Sequence, residues 1–545
     1  MSRKLLLVKQ CLLICIAFFF TINFYCQTTI KEKDYTLYYL DNNIELDFAS
    51  PIHLKLYDAF SNEEITFDKS QNKANAFLLY NVTPGKIIKL EYSLIGMSNE
   101  FKSSYLASRS ASTGAINVYF NHTVDTSVAQ TQNAVNLSNT LDDMLISYIN
   151  ACASSLDIAI YNSYSPSATT GIAGAINAAY ARGVQVRVIY DGSTGSTMIP
   201  LLNVAIPLLA SPVSSSYGIM HNKFVIFDAN SSDASKPFVW TGSTNWTLEQ
   251  LDGPDKNSVI TIQDQSLALG YTLEFNEMWG SNIMIPNATI SKFGPYKTDN
   301  TPHTYVIGGK TVNSYFSPSD GANSKIINAV NSANSDINIA TMLITRDDIT
   351  NAIINKFNGG LTNINVVVSY QNPSGNDFGI IQSGILSNHA VIYNIGGLMH
   401  HKFMVIDNFN SASDPQVVVG SHNWSTSAEF KNDENTLIVH DANITNQYYQ
   451  AFIQLYQEVG GVLSVPENGN SNDGLIVYPT ITNDYIYLSN PENKTYNYFI
   501  YNSLGQVIKS NTTTNTIDMS NNAKGLYFVT LTNDNQTKTF KILLK

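Results

Sequence analysis

The feature that most constrains this chain is an internal repeat. His221, Lys223 and Asp228 recur as His400, Lys402 and Asp407, each displaced by 179 residues. Gly242, Ser243, Asn245 and Trp246 recur as Gly420, Ser421, Asn423 and Trp424, each displaced by 178. Weaker echoes surround them: Asp157 in Leu-Asp-Ile-Ala-Ile answers to Asp336 in Ser-Asp-Ile-Asn-Ile, and Val186-Arg-Val188 to Val366-Val-Val368. Within the first copy, apolar runs at 116–120, 156–160 and 184–190 read as buried strands, and 171–182 reads as a helix ended by Gly183, an α/β pattern. A repeat this long is no solenoid unit. The natural arrangement is two copies, at 116–285 and 303–462, facing each other about a pseudo-twofold axis.

Both flanks differ from the repeat. Residues 28–112 alternate apolar and polar positions over short runs broken by Asn/Pro/Gly turns, which predicts a small antiparallel β-sandwich. After a polar linker at 466–474, residues 475–545 return to the same alternation, a second β-sandwich. The first 26 residues have a basic start (Arg3, Lys4, Lys9) and an apolar run from Cys11 to Ile22, too short to span a bilayer and laid out as a secretory signal peptide, with a lipid-anchored Cys26 as the alternative. No transmembrane segment is expected. Loss of that segment removes Cys11, Cys15 and Cys26 and leaves Cys152 alone, so no disulfide framework holds the fold. The net charge of −12 argues against a general nucleic-acid coat, without excluding a local cationic pocket.

The chemistry lies in H-x-K-x4-D followed by G-S-x-N: HNKFVIFD with GSTNWT, then HHKFMVID with GSHNWS. The apolar run after each Lys supplies a strand, and alternation puts His and Lys on one face of it. Two Lys and two Asn are donors that suit a tetrahedral phosphoryl group. One His can attack phosphorus, while the other protonates the leaving oxygen and later activates water. Small residues in G-S-x-N allow close approach to a ligand. Neither a metal nor a cofactor is required. The His400-His401 pair has no third ligand at zinc spacing. Phe275 and Trp279, four apart on a predicted helix, read as core.

These paired motifs resemble the phospholipase D superfamily with its duplicated HKD motifs. The resemblance implies an α/β fold: a duplicated phospholipase D-like sandwich forming one pseudo-twofold active site between its halves, flanked here by N- and C-terminal β-sandwich domains. It implies a phosphodiesterase in which one of His221 and His400 is the nucleophile, by analogy His221, and the other the acid/base. Lys223, Lys402, Asn245 and Asn423 match phosphate-binding positions, supported by Ser243 and Ser421, and Asp228 and Asp407 match positions that are usually structural. An acidic residue after G-S-x-N orients a histidine in this family. Glu434 fills that position in the second half; in the first half Lys256 stands in the same register, and Asp255 is the adjacent substitute.

Residues 475–545 resemble a type IX secretion sorting domain through Val477-Tyr-Pro-Thr480, Ile500-Tyr-Asn-Ser-Leu-Gly505, Gly525-Leu-Tyr-Phe-Val529 and the basic end Lys541-Ile-Leu-Leu-Lys545. This implies the type IX machinery as a partner and passage through the periplasm to the cell surface or medium. The expected substrate is a phospholipid or a nucleic acid, with phospholipid preferred and a non-specific nuclease or cardiolipin hydrolase as alternatives. A monomer is expected.

Overall fold

The computed structural model describes residues 28–40, 42–96, 100–369, 375–461, 476–478, 481–489, 494–502, 505–533 and 536–544. The predicted signal peptide, Cys26 and the predicted linker at 466–474 lie outside the described residues. Among the described residues no helix is long and apolar enough to cross a membrane.

Near the N-terminus, strict alternation in strands such as Tyr35–Leu40 and Asn43–Phe48 buries every second side chain. A five-stranded and a three-stranded antiparallel sheet close on one core that includes Leu46, Leu56, Phe77 and Leu90. The C-terminal region is built likewise, with a three-stranded and a five-stranded sheet sharing a core around Ile486, Ile500, Val529 and Ile542.

Between them stand two eight-stranded mixed sheets. In spatial order the first runs Val135–Asn136, Ile116–Phe120, Ser258–Ile262, Phe238–Gly242, Lys223–Phe227, Ser155–Ile160, Gln185–Tyr190 and Leu208–Ala210. The second runs Thr304–Ile307, Lys310–Ser317, Glu434–His440, Gln416–Gly420, Lys402–Ile406, Ile337–Thr341, Ile364–Val368 and Ala390–Ile392, the same order position by position. Symmetry fails at one edge. Val135–Asn136 lies parallel to its neighbour, whereas Thr304–Ile307 forms an antiparallel hairpin with its own.

The pairings correct two sequence-level echoes. Ile160 faces Lys223 and Thr341 faces Lys402, so the structural counterpart of Asp157 is Asn338, not Asp336. Val186 faces Leu156 as Ile364 faces Ile337, so Val186–Val188 answers to 364–366. Apolar strands look alike under small shifts, and only pairing sets their register. The helix expected at 171–182 begins earlier, at Pro166, where proline is accommodated in the first turn. It ends where predicted, with Gly183 in the left-handed region at φ 92°.

All five residues of each motif strand are buried, because both faces of each sheet are covered. Alternation sends Phe224 and Ile226 to a central core shared with Phe403 and Val405 of the other sheet. Helices Gln265–Trp279 and Ala442–Glu458 fill that core, and Phe275 and Trp279 pack in it as expected. Val225 and Phe227 face outward to helices Leu141–Ala151 and Pro166–Ala181, while Met404 and Ile406 face Ala322–Ser332 and Asp347–Asn358. The shared central core couples the two halves and leaves one end of both sheets to meet at the motifs.

Candidate active site

Each His-x-Lys enters its strand at the end where the neighbouring strands stop: beside Ile160 and Gly242 in the first half, Thr341 and Gly420 in the second. The backbones that deliver the histidines are then zipped across the halves. Gly218 N donates to Lys431 O at 3.1 Å, Ile219 N to Asn432 Oδ1 at 3.2 Å and Asp433 N to Ile219 O at 3.0 Å. The mirror contact joins Leu398 N to Asp255 Oδ1 at 2.7 Å, Lys256 N to Leu398 O at 2.8 Å and His400 N to Lys256 O at 2.9 Å.

The histidine partners cross with them. His221 Nδ1 lies 2.7 Å from Glu434 Oε2 of the second half, and His400 Nδ1 lies 2.9 Å from Asn257 Oδ1 of the first. Both acceptors fix the proton on Nδ1 and leave Nε2 with its lone pair free. Asp255 is therefore not the first-half orienter. Its carboxylate caps the backbone of Leu398, the role Asn432 plays opposite, and Asn257 occupies the position of Glu434. The loop from Gly242 to its pairing strand is one residue longer than the loop from Gly420: Gly242 faces Val259, while Gly420 faces Thr436. The motif offset of 178 thus becomes 177 at the orienters. Aligning the apolar run Val259–Ile262 on 436–439 would have found Asn257 from sequence.

The G-S-x-N elements serve the orienters first. Cβ atoms at Gly242 and Gly420 would lie 2.2 Å from Ser258 O and 2.1 Å from Asn435 O, so glycine is required by close approach to the next strand rather than to a ligand. Ser243 Oγ donates to Asn257 Oδ1 at 2.9 Å and Ser421 Oγ to Glu434 Oε2 at 2.7 Å. Each hydroxyl also accepts a backbone N–H, from Ser258 and Asn435. In this arrangement the serines hold the orienting side chains, a supporting part beside the phosphate-binding positions. Asn245 and Asn423 keep buried Oδ1 atoms without a partner.

Asp228 and Asp407 lie outside the site. Each ends its motif strand with positive φ, 52° and 56°, five residues and roughly 16 Å beyond the lysine. Asp228 accepts the N–H groups of Ala153, Ser154 and Ser155, and Asp407 those of Asn334 and Ser335. They tie the turn that starts the adjacent strand and are structural.

The remaining groups set the electrostatics. Lys223 Nζ donates to His221 O at 2.6 Å and Lys402 Nζ to His400 O at 2.7 Å, leaving further protons on each ammonium. Burial pushes Lys223 down to about 7, against the pull of Glu434 and Asp191. Lys402, buried and repelled by Lys223, is lowered well below the lysine range. Burial likewise brings His221 down to about 4, against the upward pull of Glu434. His400 has no carboxylate partner and is depressed well below the imidazole range by burial and by both lysines. Two features were missed at the sequence level: Tyr161, whose ring meets that of His221 at 4.7 Å, and Asp191, which accepts Met220 N at 2.8 Å. Ser369 plays the latter part in the second half. His401 faces away from His400, with its Nε2 2.8 Å from His122 Nε2. Among the described residues no cluster of His, Cys, Asp or Glu is arranged to hold a metal.

Residues 145–279 and 326–456 match the family described as cardiolipin synthase, PLD-like domain, and residues 476–545 match the secretion system C-terminal sorting domain. The chain belongs to the phospholipase D superfamily and carries a type IX sorting domain at its C-terminal end. It is 32% identical over 152 residues to the mitochondrial cardiolipin hydrolase of Drosophila melanogaster, across 25% of this chain and 57% of that protein. The human protein of that name is 30% identical over 132 residues, 24% of this chain and 47% of that one. The chain spans about half the length of the curated relatives it matches. Phosphatidylserine synthase of Haemophilus influenzae is a structural neighbour at 12% identity and TM-score 0.44, over 59% of this chain and 85% of that one.

Proposed function

We propose that the chain is an exported phosphodiesterase that hydrolyses phospholipid head-group esters through a phosphohistidine on His221. The observation that carries this reading is the crossed pairing of His221 with Glu434 and of His400 with Asn257. His221 Nε2 attacks phosphorus in line, the phosphorus–oxygen bond to the leaving group breaks, and His400 Nε2 delivers a proton to that oxygen. The bound phosphodiester anion offsets Lys223 and Lys402, which permits His400 to carry that proton. The phosphorylated imidazole is cationic, and only the His221 side has a carboxylate to balance it. His400, now neutral, takes a proton from water, whose oxygen attacks phosphorus and releases His221. Lys223, Lys402, Asn245 and Asn423 hold the phosphoryl oxygens.

Lipid is preferred on a second observation. The loops at 161–165, 211–222, 243–257, 393–401 and 421–433 all leave the site end of the sheets. Each exposes one large apolar side chain: Tyr164, Val213, Leu248, Ile395 and Phe430. Solvent-reaching Glu249, Asp252 and Asp255 outnumber Lys256 and Lys431 there, a poor surface for a polyanion. Turnover of phosphatidylcholine, cardiolipin and single-stranded DNA in excess EDTA tests the reading, with His221→Ala and His400→Ala as controls. Loss of all turnover in EDTA, or full activity in either variant, would refute the metal-free paired-histidine mechanism. DNA turnover alone would refute the lipid assignment.

A further inference from the structure

Among the described residues three lysines are buried: the motif residues Lys223 and Lys402, and Lys297, which belongs to no motif. Lys297 lies in the segment between the halves, with a side chain entirely out of solvent. Its Nζ is 2.5 Å from Glu274 Oε1, on the central helix of the first half, and 3.5 Å from Asp433 Oδ1 of the second. Asp433 immediately precedes Glu434 and also accepts Gly294 N at 2.7 Å. Gly294 and Lys297 thus wrap the strip 431–433, the strip zipped to 218–220 ahead of His221. A Cβ on Gly294 would meet Lys431 O at 2.6 Å, so the wrap is close.

The arrangement has no mirror image. At the other crossing the counterpart of Asp433 is Lys256, which is partly exposed and has no carboxylate within ion-pair distance among the described residues. The pin exists only on the side where the orienter is a carboxylate. Replacing a buried ion pair with apolar packing costs little stability as a rule, whereas removing one partner strands the other. What the group supplies is fixed placement.

We propose that Lys297 is a positioning residue: by clasping Asp433 and Glu274 it holds the Glu434 carboxylate on His221. The inference rests on the phosphohistidine reading for its kinetic consequence but not for its structural one. Burial opposes a charge on Lys297, and the two carboxylates more than offset this, holding it above the ordinary lysine range. Burial acts the other way on its partners, raising Glu274 to about 8 and Asp433 to about 6 against the downward pull of Lys297.

The test is a cycle of Lys297→Met and Glu434→Gln in the full chain, with Lys297→Arg as the conservative variant. Lys297→Met is expected to lower kcat at least tenfold with KM within twofold, and Lys297→Arg to restore most of it. In the Glu434→Gln background Lys297→Met should cost less than twofold more, because its effect passes through that carboxylate. Additive losses would overturn the proposal, since general loosening does not depend on Glu434. A readout free of turnover is the downfield NMR resonance of the proton between His221 Nδ1 and Glu434, assigned by its loss in His221→Ala. Its loss in Lys297→Met and survival in Lys297→Arg are expected; survival in both overturns the clasp, whatever the substrate proves to be. Should Lys297→Met not fold, Asp433→Asn removes the same ion pair and is read in the same way.

Discussion

Glu434→Gln is the most direct probe of the site's asymmetry. Glu434 is fully out of solvent and accepts His221 Nδ1 at 2.7 Å, Ser421 Oγ at 2.7 Å and Asn432 Nδ2 at 3.3 Å. Burial raises its pKa, but His221 and Lys223 more than offset that, and the carboxyl titrates below its ordinary range. The substitution keeps size and one carbonyl acceptor but removes the charge, making the His221 side a copy of the His400 side, where the amide of Asn257 already orients an imidazole. Orientation should survive. What is lost is charge assistance to a ring that becomes cationic on phosphorylation, worth roughly 1.5–3 kcal/mol. Converted through the barrier, kcat should fall about 10- to 150-fold with KM little changed. Stability should change little, since losing a buried carboxylate also removes its desolvation cost. The assay is single-turnover cleavage of a chromogenic phosphodiester, with thermal melting as the fold control. A well-folded variant with kcat within twofold of the parent would refute the claim that Glu434 balances charge on His221.

Asn257→Asp should raise the pKa of His400 by placing a carboxylate on it, seen as an upward shift of the acid limb of kcat, while Asn257→Ala should lower kcat by loss of orientation. The free protein should show a kcat/KM profile with an acid limb near pH 4, as His221 gains a proton, and an alkaline fall that sets in below the ordinary imidazole range, as His400 loses the proton it must deliver. Asp228→Ala should cost roughly 3 kcal/mol of stability, read by denaturant unfolding, by stranding the N–H groups of Ala153, Ser154 and Ser155, with kcat per folded molecule unchanged. His400→Ala supplied with a good leaving group should accumulate the phosphoryl half of the substrate, its second ester still attached, on His221, detectable by intact-mass measurement, because the step that needs a base is removed.

Which parts of this molecule can be read in one dimension follows from the range of the forces involved. Strands and helices answer to local periodicity, so the sequence by itself determined the α/β repeat, the flanking β-regions and the two His-x-Lys pairs. Sequence also placed Glu434 at a site, though not on the histidine of the opposite half. Tertiary structure decided the pairings. His221 meets Glu434 across 213 positions and His400 meets Asn257 across 143, and no local pattern encodes such contacts. One extra residue in a loop moved the position equivalent to Glu434 from Lys256 to Asn257, and shifting a strand by one turns every side chain to its other face. The same limit hid Lys297, an ordinary lysine in a connecting segment until folding closes two carboxylates from different halves around it and excludes water.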